Sequence, residues 1–170
     1  TQVTPGWLPP LVAALRRGPD VGAVGPRIVF PDGRLQEAGG HVTPDGESEL
    51  VGLFEDPDLP RYNRARDVAY CSGVCLAVPT DRFRALGGFD PDLAPAYCED
   101  VDLCLRIRAA GLRVLYVPES VIVHHLSVTA GSVDDEFKLR CVARNQQRIV
   151  EKHHALLEEL SRVRLLAFYL

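Results

Sequence analysis

Tyr97-Cys98-Glu99-Asp100-Val101-Asp102-Leu103-Cys104-Leu105-Arg106 is the stretch on which the reading of this chain turns. Glu99, Asp100 and Asp102 place three carboxylates within four residues, just after a Pro-containing turn. The apolar residues that follow, and Gly111 beyond them, predict a helix from Cys98 to Ala110 with glycine as its stop. Outward from this helix the pattern changes period. Leu112 to Val117 reads as a strand ended by Pro118, and Val121 to His125 as another short one. Upstream, the near-continuous apolar run from Asp67 to Val78 predicts a central strand covered on both faces. Gly73 inside that run predicts a close backbone approach. Strands alternating with helices make this an α/β chain with a mixed sheet.

The ends of the chain fill in the layers. Pro9 and Pro10 suit the first turn of a helix from Pro5 to Arg17, and Val21 to Phe30 is β-branched and apolar, hence a strand. Pro31-Asp32-Gly33 turns it into a hairpin through Arg34-Leu35-Gln36. Residues 50–66 carry no clean period and read as a surface loop. Thr80 suits the start of a short helix over Asp81 to Leu86, closed by Gly87-Gly88. Two further helices are expected, Asp134 to Lys152 and His153 to Leu170, with the His153-His154 pair on a solvated face.

Composition narrows the possibilities. The chain has 170 residues, 46% hydrophobic, with a net charge of −4. That suits one globular domain and gives no basic face for nucleic acid. No run of 18 apolar residues is present to span a bilayer. Five cysteines with no C-x-x-C spacing argue against a disulfide framework or a structural zinc site, and read as buried apolar residues in a reducing cytoplasm. Methionine is absent, and both ends look cut, so a fragment of a longer protein is expected.

The chemistry concentrates on the acidic cluster and on His124-His125. Like charges disfavour one another's ionisation, so a carboxylate cluster needs something to answer to. Helix-start acids also serve as plain caps, and Asp102 with Arg106 is an ordinary i,i+4 pair. As chemistry, Asp100 is the candidate general base, with Glu99 or Asp102 holding the acceptor or orienting the base. Adjacent strand residues face opposite ways, so one histidine of the pair can join the carboxylates. Either it is a hydrogen-bonded core residue or it is a metal ligand. A hydrolase built on Asp100, Asp102 and His124 lacks a second histidine at metal-binding spacing.

Read in order, Ser72-Gly73, Leu86-Gly87-Gly88-Phe89-Asp90, Glu99-Asp100-x-Asp102-Leu103-x-x-Arg106, Ala110-Gly111-x-x-x-x-Tyr116-x-Pro118, His124-x-x-Ser127 and Arg144-Asn145 resemble the family 2 glycosyltransferases of GT-A fold, in their rhamnosyltransferase-like and galactofuranosyltransferase-like branch. The likeness runs from Pro5-Gly6-Trp7-Leu8 to about Lys152. It implies that residues 1–152 form the acceptor- and metal-side half of a GT-A domain, with 153–170 the start of a helical extension. It implies Asp100 as base and His124 as ligand of Mg²⁺ or Mn²⁺, the Ser127 spacing favouring His124 over His125. It further implies Gly73 near the donor sugar and Glu99, Asp102 and Arg106 shaping the acceptor side.

The partners implied are a nucleoside diphosphate sugar donor and a glycan or lipid-linked glycan acceptor, which react in one inverting displacement in polysaccharide or cell-wall synthesis. The nucleotide-binding half is expected upstream of Thr1, so these residues alone are expected to be inactive. The alternative is a non-catalytic carbohydrate-binding or scaffold domain on the same fold. The apolar run Leu165 to Leu170, behind Arg162 and Arg164, reads as packing against further chain. Its other reading is a peripheral contact with the inner face of the membrane, in an otherwise cytoplasmic protein.

Overall fold

A computed structural model describes residues 1–125 and 135–169. In chain order the elements are β1 (Gln2–Val3), α1 (Leu8–Leu15), β2 (Val21–Val29), β3 (Leu35–Glu37), β4 (Gly40–Val42), β5 (Ser48–Leu50), β6 (Arg66–Asp67), α2 (Thr80–Ala85), α3 (Glu99–Ala109), β7 (Arg113–Val123) and α4 (Asp135–Tyr169). Short 3-10 turns at Pro60–Tyr62 and Pro91–Leu93 punctuate the loops.

The main sheet is mixed, as the alternation of elements predicts. Its spine is the parallel pair β2 and β7. β3 runs antiparallel on the free edge of β2, while β1 and β6 run antiparallel to β7. β4 and β5 form a separate two-stranded ribbon. Burial on both faces explains why β2 and β7 read as apolar runs. On one face Leu11 and Ala14 of α1 meet Val21, Val24, Leu115 and Val117. On the other, Ala23, Val114 and Tyr116 join Leu103, Leu105 and Ile107 of α3, with Ile149 and Leu157 of α4 completing the core.

Three elements differ from their sequence pattern, each for a visible reason. The run from Asp67 to Val78 is not a central strand. After β6 it makes only isolated bridges, Tyr70 to Gly40 and Ala77 to Val24, around a turn in which the Cys75 N–H donates to the Ser72 carbonyl. The amides of Ser72 and Gly73 go to carboxylates instead of to a neighbouring strand. Pro118 does not end β7 either. The pairing with β2 jumps from Pro26–Val117 to Arg27–Val121, so the proline sits in a bulge where no ladder donor is needed. Finally, α4 is one helix of 35 residues, not two. Nothing at Lys152-His153 breaks it, and both side chains anchor it. The cysteines are free, with Cys71, Cys104 and Cys141 buried.

Candidate functional site

The site grows from the carboxyl end of the parallel pair, where open α/β sheets bind their ligands. β7 stops at Val123, and the next residue keeps one more sheet bond, His124 N–H to the Val29 carbonyl at 2.9 Å. His124 Nδ1 lies 3.0 Å from Gln36 Oε1 on β3. A carbonyl oxygen can only accept, so Nδ1 carries the proton and Nε2 keeps its lone pair. Burial, with His125 beside it, lowers the pKa of His124 and favours its neutral form. His125 is exposed.

The neighbour of Gln36 leads to the acidic cluster. Glu37 is 3% exposed, and its carboxyl accepts the Ser72 N–H at 3.0 Å. Burial pushes its pKa up to about 7; the Ser72 N–H works against that and the Asp100 charge adds to it. The next amide, Gly73 N–H, donates to Asp100 Oδ2 at 2.6 Å, and Asp100 Oδ1 accepts its own helix's Val101 N–H at 2.8 Å. The close approach that Gly73 predicts is therefore made by Asp100. The link from His124 to Asp100 runs through the backbones of Gln36-Glu37 and Ser72-Gly73, with Gln36 and Glu37 on alternate sides of their strand. Asp100 is half-buried, with lone pairs left on both oxygens.

Beside Gly73 a cleft of about 290 Å³ opens between Leu76, Val78, Phe83, Phe89 and Leu103. Phe83 and Phe89 meet edge to face, with ring centroids 5.4 Å apart. Phe89 remains 48% exposed, an apolar ring presented to whatever enters. Glu99 sits at the first position of α3, half-buried, and burial raises its pKa. Among the described residues no hydrogen-bond partner reaches its Oε2.

Asp102 and Arg106 occupy a different place from the one expected of acceptor-side residues. Asp102 is fully buried. It accepts from Arg106 Nε at 2.7 Å, Lys152 Nζ at 2.7 Å and His153 Nε2 at 2.9 Å. Burial opposes its charge, but hydrogen bonds from His153, Lys152 and Arg106 overcome that and hold the carboxyl well below the usual range. Arg106 spends its other nitrogens on the Leu86 and Gly88 carbonyls, at 2.6 and 2.7 Å. The pair thus ties α3 to α2 and α4. His153, expected on a solvated face, is 7% exposed for the same reason.

Three contributors carry no motif of their own. Glu37 lies in a short hairpin strand, where a single acid reads as a solvent-facing residue. Lys152 and His153 sit at helical spacing with nothing to mark them as partners of Asp102. Ser127 lies outside the described residues. Among the described residues, no three His, Cys, Asp or Glu side chains gather to hold a cation by themselves. No helix of the described residues is long and apolar enough to cross a membrane.

The comparisons with known proteins agree with this architecture. The family model described as glycosyltransferase like family 2 matches residues 3–148. The O-antigen biosynthesis protein RfbC of Myxococcus xanthus is 34% identical over 135 residues, covering 75% of this chain and 10% of that protein. The N-acetylglucosaminyl-diphospho-decaprenol L-rhamnosyltransferase of Mycobacterium tuberculosis is 33% identical over 138 residues, 75% of this chain and 45% of the relative. A solved structure of GalNAc-T7 with UDP, GalNAc and Mn²⁺ superposes with a TM-score of 0.55 at 23% identity, over 72% of this chain and 25% of that one. That last likeness is one of fold, and it is the GT-A arrangement. The chain spans less than half the length of each of these proteins.

Proposed function

The chain belongs to glycosyltransferase family 2, and on that premise we propose that it forms the acceptor-side part of an inverting enzyme. The enzyme moves a sugar from a nucleoside diphosphate sugar to a glycan or lipid-linked glycan. The observation that carries this reading is Asp100: a half-buried carboxylate at a helix start, fixed by the N–H of Gly73, which itself lines the cleft. An acceptor hydroxyl entering that cleft meets a base held in one orientation.

Each residue then has a task. Asp100 takes the hydroxyl proton as the acceptor oxygen forms its bond to the anomeric carbon and the nucleoside diphosphate leaves from the opposite face. General-base help of this kind is worth about 10²–10⁴ in rate. Val101 N–H and Gly73 N–H keep the carboxylate aimed while it does so. Phe89 and Phe83 give the acceptor an apolar wall.

The fold family implies Mg²⁺ or Mn²⁺, and His124 fits one. Its Nδ1–H is committed to Gln36, which is how a ligating histidine is commonly oriented, and among the described residues no hydrogen bond takes up its Nε2. When bound, the cation neutralises charge developing on the departing diphosphate. His124 is the described residue that would hold it, through Nε2.

The test is Asp100→Asn in the full protein. Transfer to acceptor is expected to fall about 10²-fold or more while donor affinity, read by calorimetry, stays within about threefold. Near wild-type turnover in that variant removes Asp100 as the base.

A further inference from the structure

We propose that Asn145, with Arg144 beside it, is a positioning residue that sets Asp100 from the far side of the molecule. This rests on the assignment of Asp100 as base. Asn145 is fully buried on α4, 45 positions downstream of Asp100. Its Nδ2 lies 2.8 Å from the Leu93 carbonyl, 3.0 Å from Ala96 and 2.7 Å from Tyr97. Its Oδ1 accepts Arg144 Nε at 2.9 Å, and Arg144 also donates to the Ala94 carbonyl. One residue pair therefore gathers four carbonyls from the five residues Leu93 to Tyr97.

That segment needs holding. It belongs to no sheet ladder, so its carbonyls must find partners elsewhere. It also leads into α3 through two consecutive non-glycine residues with left-handed backbone, Tyr97 at φ +75° and Cys98 at φ +68°. L side chains rarely adopt that conformation, and it persists only where the surroundings over-determine it. The bond from Asn145 to the Tyr97 carbonyl falls at this strained pair. Cys98 is the N-cap of α3; its carbonyl accepts the Asp102 N–H, but its side chain makes no cap bond that would hold the entry to the helix. What fixes the direction in which the chain enters α3 is the amide of Asn145. Glu99 and Asp100 are the first two residues to inherit it.

The Asp102 anchor does not duplicate this function. It ties α3 to Lys152 and His153 from within the helix, after the strained turn is complete. Asn145 acts upstream, on the backbone that delivers Asp100 to the Gly73 N–H. Relaxing Tyr97-Cys98 toward ordinary backbone would rotate the first turn of α3 and carry the carboxylate off the cleft, with the core beneath left intact.

The experiment compares four variants of the full protein in steady-state transfer. Asn145→Asp keeps the shape and removes the N–H donors; Asn145→Ala removes the group. Both are expected to lower kcat about 30-fold or more, with the donor KM within about threefold, because misplacing a reacting group by about an ångström is enough for such a loss. Arg144→Ala removes only the exposed half of the clamp, cannot compromise the core, and is expected to cost about fivefold in kcat. Ile149→Ala is the control. It opens a cavity one turn further along the same helix and is expected to lower the melting temperature while kcat stays within about twofold.

Wild-type kcat in Asn145→Asp or in Arg144→Ala overturns the proposal, and so does an equal kcat loss in Ile149→Ala. If Asn145→Ala does not fold, Arg144→Ala still decides. Full activity in Asp100→Asn is a separate result and strikes the base assignment, not the clamp.

Discussion

Asp100 and Glu37 are two carboxylates in one electrostatic neighbourhood with opposite surroundings. Asp100 is half-buried and held by two amides. Glu37 is shut in, with a single N–H for company and a pKa near 7. A buried acid with a raised pKa makes stability depend on pH in a definite sense. Between its ordinary 4.5 and about 7 the native state holds a proton that the unfolded chain has released, so stability falls as pH rises through that window and is then flat. Glu37→Gln keeps an oxygen for the Ser72 N–H and has no charge to bury. It is expected to remove this slope and to stabilise the protein at pH 8 by on the order of 2–3 kcal/mol. Urea melts of both proteins at pH 5 and pH 8 check this; parallel pH dependences would show that Glu37 is ionised in the fold without penalty. Asp100 and His124 were legible in the sequence because their residue types are unusual at those spacings. Glu37 was not, because burial is a property of the hairpin's place beneath the Ser72 turn, which no local pattern encodes.

The parallel pair, α1, α3 and the β2–β3 hairpin could be read from periodicity and turn residues, since local propensity and tertiary place agree there. Where they disagree, the site is near. The run from Asp67 to Val78 has strand composition, yet its amides at Ser72 and Gly73 are spent on Glu37 and Asp100. Pro118 looks like a stop until the bulge opposite Pro26-Arg27 excuses its missing N–H. The junction of α3 with α4 is the element-scale feature that composition hid most completely. Asp102 is a buried carboxylate answered by Arg106, Lys152 and His153. Asp102→Ala is expected to cost about 3 kcal/mol in urea unfolding, the low end for breaking a buried ion network. The low end applies because Arg106 keeps the Leu86 and Gly88 carbonyls and Lys152 keeps Asp90. A loss under about 0.5 kcal/mol would show that α3 and α4 are held by apolar packing alone.

For the molecule as a whole, the sheet divides the labour. One end of the parallel pair presents His124, and β3 with the Ser72 turn carries the connection on to Asp100 and the aromatic cleft. α4, from behind, holds the turn that starts α3. The order of motifs foretold this arrangement of layers; what the sequence could not convey was that Asp102 faces inward with Arg106, that Glu37 accepts the Ser72 N–H next to the Gly73 N–H held by Asp100, and that Asn145 gathers the carbonyls ahead of α3. The central claim is that Asp100 and His124 address one donor sugar and its cation. The most direct measurement is a crystal structure of the full protein with Mn²⁺ and an intact nucleoside diphosphate sugar, the metal located by its anomalous signal. Mn²⁺ is expected on Nε2 of His124, with the Asp100 carboxylate facing the anomeric carbon from the side opposite the leaving group. Manganese held by His125 or elsewhere, or Asp100 turned away from the anomeric carbon, would contradict it.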